Sequence, residues 1–295
     1  MSSLRALRQM TRPLRHGLAG ALLRALALGL RVLPLSISLT LGAVLGRLVS
    51  YAARGETRRM RTRLEARLGI GAARARRIAI KSWESLGRRL IELLIAERVL
   101  PLVQLTPTAR ARLDLSLAES RAQGQGLLCM SAHFGNWELL AAHLAAEGYP
   151  FKVIAAAPKQ SPLIRWLSAQ RRQWGVETLH PRGGARAGLR HLLAGGQLAT
   201  LIDLSTRERG CQLPLFGAPA RCSLTAPRLA LRSDAKLLWL WCERRTEGGY
   251  LIHCERLPEM FFSRATEGLA AMNLRLETLV KTAPEEWVWL HDRWS

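Results

Sequence analysis

Four short apolar stretches, "GLLCMSA" (126–132), "FKVIAAA" (151–157), "LATLIDL" (198–204) and "AKLLWLWCE" (235–243), recur through the chain with helical sequence between them. No other feature narrows the fold as much. A short run that is apolar at successive positions has to be covered on both faces, which is the situation of a parallel strand under crossover helices. One such crossover is legible in "RGGARAGLRHLLAGG", which closes on Gly195-Gly196, as helix C-termini do. The expected class is therefore α/β, a mostly parallel sheet flanked by helices. "GGYLIHCERLP" reads as an edge strand after a turn at Gly248-Gly249, followed by a helix, a proline stop and a Trp-rich end.

The first part of the chain has a different character. Residues 1–100 carry 20 Lys/Arg against 5 Asp/Glu, a net of +15, while residues 101–295 carry 24 against 17. Such asymmetry implies an anionic partner: a membrane surface, a nucleic acid or an acidic protein. From Gly17 to Ala53 the sequence is apolar with basic punctuation and no acidic residue. The longest uncharged stretch, between Arg31 and Arg47, is 15 residues and contains Pro34. That falls short of the roughly 20 apolar residues of a clean span and fits an interfacial anchor with arginines at the headgroups, with a single tilted or loosely inserted helix and snorkelling arginines as the alternative. No compact apolar core followed by a small-residue cleavage site marks a removable signal peptide. Residues 54–98 read as amphipathic helix, and Thr106-Pro107 as a further helix start. The expected organisation is a membrane-associating helical segment (1–53) and a main domain (54–295), the latter with a helical lead-in (54–122) and an α/β core (123–295).

Five cysteines, Cys129, Cys211, Cys222, Cys242 and Cys254, form no CxxC pair. Several sit inside apolar runs as small hydrophobes, a pattern of a reducing compartment that argues against a disulfide scaffold or a structural zinc site.

The chemistry concentrates in "LLCMSAHFGNWELLAAHL" (127–144). His133 leaves the carboxyl end of the first predicted strand, and a helix starts directly after, with Asn136 as N-cap and Glu138 in its first turn. In open α/β sheets this strand-to-helix corner is where ligands bind. An imidazole there can act as general base toward a hydroxyl, and a carboxylate on the other ring nitrogen fixes its tautomer and steadies the imidazolium. On spacing alone, Glu138 is the expected carboxylate. His143 lies about 10 Å further along the helix, and no HExxH is present, so metal ligation is not expected.

The sequence resembles the lauroyl/myristoyl acyltransferases of lipid A biosynthesis, a branch of the lysophospholipid acyltransferase superfamily. The likeness rests on the basic-apolar start, "SWESLGRRLIELL", "AHFGNWE" as the HxxxxE/D motif, "ATLIDLS", "LPLFGAPARCSLTAPRLAL" and the closing "PEEWVWLHDRW", in that order. It implies a lysophospholipid acyltransferase-like fold and makes 54–295 the acyltransferase domain. It further implies an enzyme on the cytoplasmic face of the inner membrane. The enzyme would move a fatty acyl chain from acyl carrier protein, or acyl-CoA, to a hydroxyl of a lipid acceptor such as a lipid A precursor. No metal or other cofactor and no covalent acyl-enzyme are implied. By position, Arg172 or its neighbour Arg171 matches a family arginine near the active site, and Asp203 matches an acidic position that contributes to activity. Asn136 lies within the catalytic motif as a supporting residue. His291 and Arg293 match a closing signature read as structural.

Two departures bear on the acceptor. Ala157 stands where many relatives have Arg, with Lys159 nearby, and Asp203 is followed by Leu204 where Gln is usual. They leave room for another lysophospholipid, a glycolipid or an aminolipid. A lipid hydrolase using the same pair is the other enzymatic reading, although no G-x-S-x-G elbow is present. Nucleic-acid binding rests on charge alone and has no recognisable motif.

Overall fold

The computed structural model describes residues 26–149, 151–155, 162–179, 181–204, 210–258, 261 and 264–294. Ala157, Lys159 and the first 25 residues of the expected anchor lie outside them.

Among the described residues the sheet has seven strands in the order β1-β9-β8-β2-β5-β3-β4. These are β1 (Val103–Leu105), β2 (Leu127–Ser131), β3 (Lys152–Ile154), β4 (Glu177–Leu179), β5 (Gln197–Leu201), β8 (Lys236–Arg244) and β9 (Tyr250–Leu257); β6 (Gly210–Leu215) and β7 (Ala218–Ser223) form a separate hairpin. All neighbours in the large sheet run parallel except β8 and β9. The four apolar runs thus become strands; β2 and β8 are buried along most of their length, while β3 is half-buried throughout. Leu128 and Met130 of β2 join one core with Leu198, Leu237 and Trp239, while Leu127 and Cys129 join the other with Leu238, Leu240 and Cys254. Alternate residues of one strand feed opposite layers, and either cost of exposure, about 2 kcal/mol per large aliphatic side chain, is avoided on both faces.

β9 is not the edge strand it reads as. It lies between β8 and β1, with Val103 opposite Tyr250. β1 has only three residues between a 3-10 turn and a proline-led helix, too few for any periodicity to show, and it occupies the edge instead.

Ahead of the sheet come α1 (Leu35–Ala52), α2 (Arg54–Leu68) and α3 (Ala72–Leu94). Pro34 is the N-cap residue of α1 and so begins that helix, a position where its fixed φ and missing N–H do no harm. The sheet is covered by α4 (Pro107–Ala122), α5 (Trp137–Ala146), α6 (Pro162–Gln173), α7 (Pro181–Leu193), α8 (Thr225–Ser233) and α9 (Ala265–Thr282). The expected caps are in place: Thr106 accepts from the Ala109 amide at 3.1 Å and Asn136 from the Leu139 amide at 3.4 Å. Cys129, Cys222, Cys242 and Cys254 are buried free thiols that pack as apolar groups.

Candidate active site

β2 and β5 are adjacent and parallel, and their register puts Ser131 opposite Leu201. Two residues past each of these positions stand His133 and Asp203, so the register itself delivers an imidazole and a carboxylate side by side at the carboxyl edge of the sheet. His133 Nδ1 lies 2.8 Å from Asp203 Oδ1, and the His133 amide reaches both carboxylate oxygens at 3.1 and 3.2 Å. Asp203 accepts two further bonds, from Trp287 Nε1 at 2.8 Å and from Arg293 Nη2 at 3.1 Å. Among the described residues, every hydrogen-bond partner of the carboxylate is thus a donor. Burial pushes its pKa up, but the charges of His133 and Arg293 and the hydrogen bonds from His133 and Trp287 outweigh this and hold it well below the usual carboxylate range. An ionised Asp203 can only accept, so His133 Nδ1 carries a proton toward it. That leaves Nε2 as the basic nitrogen, and it has no protein partner among the described residues.

This corrects the expected pairing. Glu138 does not back His133 among the described residues; it accepts from Arg171 Nε at 2.8 Å and from Arg171 Nη2, a two-pronged ion pair. Glu138 sits in the first turn of α5 and Arg171 in the last turn of α6, so the pair joins two helix ends. Burial lowers the Arg171 pKa, and the hydrogen bond and charge of Glu138 more than compensate, leaving it raised. Glu138 also accepts from Trp137 Nε1 at 3.1 Å, and the Trp137 ring meets the His133 ring edge-on at 4.8 Å. Of the two neighbouring arginines it is Arg171 that reaches the site; Arg172 is exposed. Asn136 is 2% exposed: its oxygen caps α5 and its Nδ2 donates to Glu92 Oε2 at 2.9 Å. His143 is buried at the far end of α5 beside a second cleft shared with Glu97, Arg110 and Glu147.

Between His133 and the α5 helix the chain must turn sharply. Gly135 has φ +59°, and a Cβ there would fall 2.2 Å from the Cys242 carbonyl oxygen; only glycine satisfies both. The turn is tied to the C-terminal segment. Val288 N donates to His133 O at 3.1 Å, Gly135 N to Glu286 O at 3.1 Å, and Phe134 bridges to Trp287.

Sequence reasoning missed how much that segment does. Arg293 is 1% exposed; it donates from Nε to Asp203 O at 2.8 Å and lies 4.1 Å over the Trp287 ring. His291 comes 5.4 Å from His133, ring to ring. Desolvation and the nearby charges of Arg293 and His133 push its pKa down to about 4, so it is neutral at ordinary pH. The hairpin holds the strap from the other side. Phe216, at its tip, packs on Trp287 and Trp289 at 5.7 and 5.8 Å, and Arg221 N donates to Arg293 O at 2.7 Å.

Also unforeseen is a buried network beneath the turn. Glu92 of α3 accepts from Arg244 Nη1, from Tyr250 OH at 2.8 Å and from Asn136. Glu286 accepts from Arg244 Nε at 3.0 Å and Arg89 Nη2 at 3.2 Å. Burial opposes the ionised form of Glu286, yet Arg244 and Arg89 bring it down to about 2. The available signal was in "SWESLGRRLIELL": Arg89 and Glu92 fall on the apolar face of α3, where charges are tolerated only when paired. A cleft of about 690 Å³ between β8–β9 and α9 borders this network at Phe134, Arg244 and Glu286, but His133 is not among its walls.

Comparison with known proteins places this geometry in context. Residues 8–295 match the family described as bacterial lipid A biosynthesis acyltransferase. The sequence is 24% identical over 229 residues to the lipid A biosynthesis lauroyltransferase of Escherichia coli (strain K12), covering 75% of this chain and 72% of that protein. It is 25% identical over 179 residues to the phosphatidylinositol mannoside acyltransferase of Mycobacterium tuberculosis (strain CDC 1551 / Oshkosh), covering 59% of this chain and 56% of that protein. The second match thus spans little more than half of the mycobacterial enzyme.

Proposed function

The chain belongs to the bacterial lipid A biosynthesis acyltransferase family, and we propose that it transfers a fatty acyl chain from a thioester donor to a hydroxyl of a lipid A precursor, with His133 as general base. It is an acyltransferase acting on a lipid acceptor; the residues, the donor and the precise acceptor are the proposal. Its workplace is the cytoplasmic face of the inner membrane. Acyl carrier protein is the favoured donor, because the basic surface suits an acidic carrier, with acyl-CoA as the alternative.

The observation that carries the reading is the buried Asp203 carboxylate on His133 Nδ1 at the carboxyl edge of two adjacent strands. In the proposed reaction, Nε2 takes the proton of the acceptor hydroxyl as its oxygen attacks the thioester carbonyl. The C–S bond then breaks and the imidazolium returns the proton to the departing thiolate. Asp203 stays ionised throughout and steadies the imidazolium, the role such a carboxylate has in serine hydrolases. Glu138 holds Arg171 in place, and the guanidinium is the group suited to the developing oxyanion or to an acceptor phosphate.

A second acceptor class is favoured by two observations: the likeness to a protein named for phosphatidylinositol mannoside, and Leu204 following Asp203, 41% exposed beside the site. That reading keeps the chemistry and exchanges lipid A for a glycolipid. The deciding experiment offers the purified enzyme acyl carrier protein or CoA thioesters with each acceptor, and without one. Thioester consumption only when a lipid A precursor is present supports the proposal. Consumption with the mannoside alone moves it to the second class, and consumption without acceptor makes the protein a hydrolase.

A further inference from the structure

α1 is long and apolar enough to cross a membrane by length and composition, yet one of its faces is already taken. Ser38, Gly42, Gly46 and Ser50, spaced every fourth residue, are buried. They lie against α3 with backbone touching backbone. A Cβ on Gly46 would sit 2.1 Å from Trp83 O, and one on Gly87 2.0 Å from Gly42 O. Both ends are fastened as well. Arg98 Nη1 donates to the carbonyls of Leu30, Arg31 and Leu33 at 3.1, 3.1 and 2.7 Å, ahead of the helix. After it, Trp83 Nε1 donates to Thr57 Oγ1 at 3.0 Å, and Thr57 donates to Ser50 O at 2.8 Å.

Among the described residues, nothing covers the opposite face. Ile37, Leu41, Val44, Leu45, Leu48, Val49 and Tyr51 are 42–58% exposed, an apolar patch of the kind that marks an interaction site. Residues 1–55 hold eight arginines and no acidic residue, which makes an anionic lipid surface the fitting occupant.

We propose that α1 lies in the plane of an anionic bilayer, its Leu/Val face in the lipid and its Ser/Gly face docked on α3, and does not span. α3 is the reason. It lies between α1 and the catalytic turn: Arg89 donates to Glu286 and Glu92 accepts from Asn136. If α1 crossed the bilayer while docked, α3 would have to enter the hydrocarbon beside it, with Glu84, Arg88 and the Arg47–Glu84 pair near mid-depth. Charges there are strongly disfavoured. Lying flat, α1 instead keeps these groups at the interface and fixes the height of the catalytic turn above the lipid. The inference concerns placement only and is independent of which acceptor is used.

The test measures depth. Ile37, Val44 and Tyr51 share the exposed face at seven-residue steps and cover about 21 Å of helix. Each is changed singly to Cys in a Cys211→Ser background of the full chain, labelled with a polarity-sensitive fluorophore and reconstituted into phosphatidylcholine–phosphatidylglycerol vesicles. Quenchers are carried at shallow or deep positions on the lipid chains. In-plane binding gives the same shallow depth at all three positions. Greatest quenching of Val44 by the deep quencher, with Ile37 and Tyr51 shallow, would show a span and overturn the proposal. Flotation of the same proteins should be weaker without phosphatidylglycerol; equal binding to neutral vesicles, or no lipid-induced change in emission, would overturn it too.

Discussion

Asp203→Asn is the most informative single substitution, because among the described residues the partners of the carboxylate are all donors. The two oxygens receive the His133 amide and Nδ1, Trp287 Nε1 and Arg293 Nη2. In asparagine one of those oxygens becomes an NH2 group. In either orientation a cation that is 1% exposed loses its counter-charge, and if the amide nitrogen faces Trp287 and Arg293 two buried donors lose their acceptor as well. If it faces His133, the ring has to turn its Nδ1 lone pair toward it, moving the proton to Nε2 and removing the base. The lost counter-charge costs about 3–5 kcal/mol, the usual figure for stranding one member of a buried pair, or on the order of 10 °C in melting temperature. The turned ring predicts an activity loss of roughly 10³–10⁴, by analogy with the wrong-tautomer effect in serine proteases. Transfer assays and thermal melts on the same preparations separate the two. Adding Arg293→Met removes the stranded cation, so the double variant should regain stability and remain inactive. Activity that returned together with stability would refute the orienting role and leave Asp203 a purely structural residue.

Other outcomes follow from the same geometry. Arg171→Lys replaces a two-pronged fork with a point charge and should lower turnover on the order of 10²-fold, while the exposed Arg172→Ala should stay within about twofold; reversed effects would move the anion-binding role to Arg172. Glu286 is held near 2 against an ordinary 4.5, so its contribution is fully present above about pH 4.5 and is lost as pH falls toward 2. Denaturant titrations should show wild type more stable than Glu286→Gln by about 3 kcal/mol at neutral pH, the gap closing across that window. Gly46→Leu forces a side chain into the Trp83 carbonyl and should cost about 1–3 kcal/mol or more, read by melting, while the protein still sediments with membranes.

The elements that announced themselves were the ones with length and uniform composition. β2, β5 and β8 were visible because both of their faces are buried, and α5 because Asn136 caps it. Three-residue strands such as β1 and β4 carry no period to detect. The site was half legible for a similar reason. His133 lies on a strand-to-helix corner that the sequence spells out. Its carboxylate partner is 70 residues away, brought in by the Ser131–Leu201 register, whereas Glu138 is close in sequence yet faces α6. Proximity along the chain pointed to Glu138, while pairing between strands brings Asp203 onto the His133 ring. Likewise Arg293 and Trp287 read as a closing signature, but their hold on Asp203 depends on the terminal segment folding back across the sheet edge.

The central claim is that a base at position 133 drives acyl transfer to a lipid hydroxyl, and lipid mass spectrometry tests it most directly. Total lipids from cells with the wild-type gene, with His133→Ala and with no gene should be compared, after confirming equal membrane-bound protein. The account predicts an acceptor lipid heavier by one fatty acyl ester with the wild type alone. The same product from His133→Ala, at comparable abundance, would contradict it.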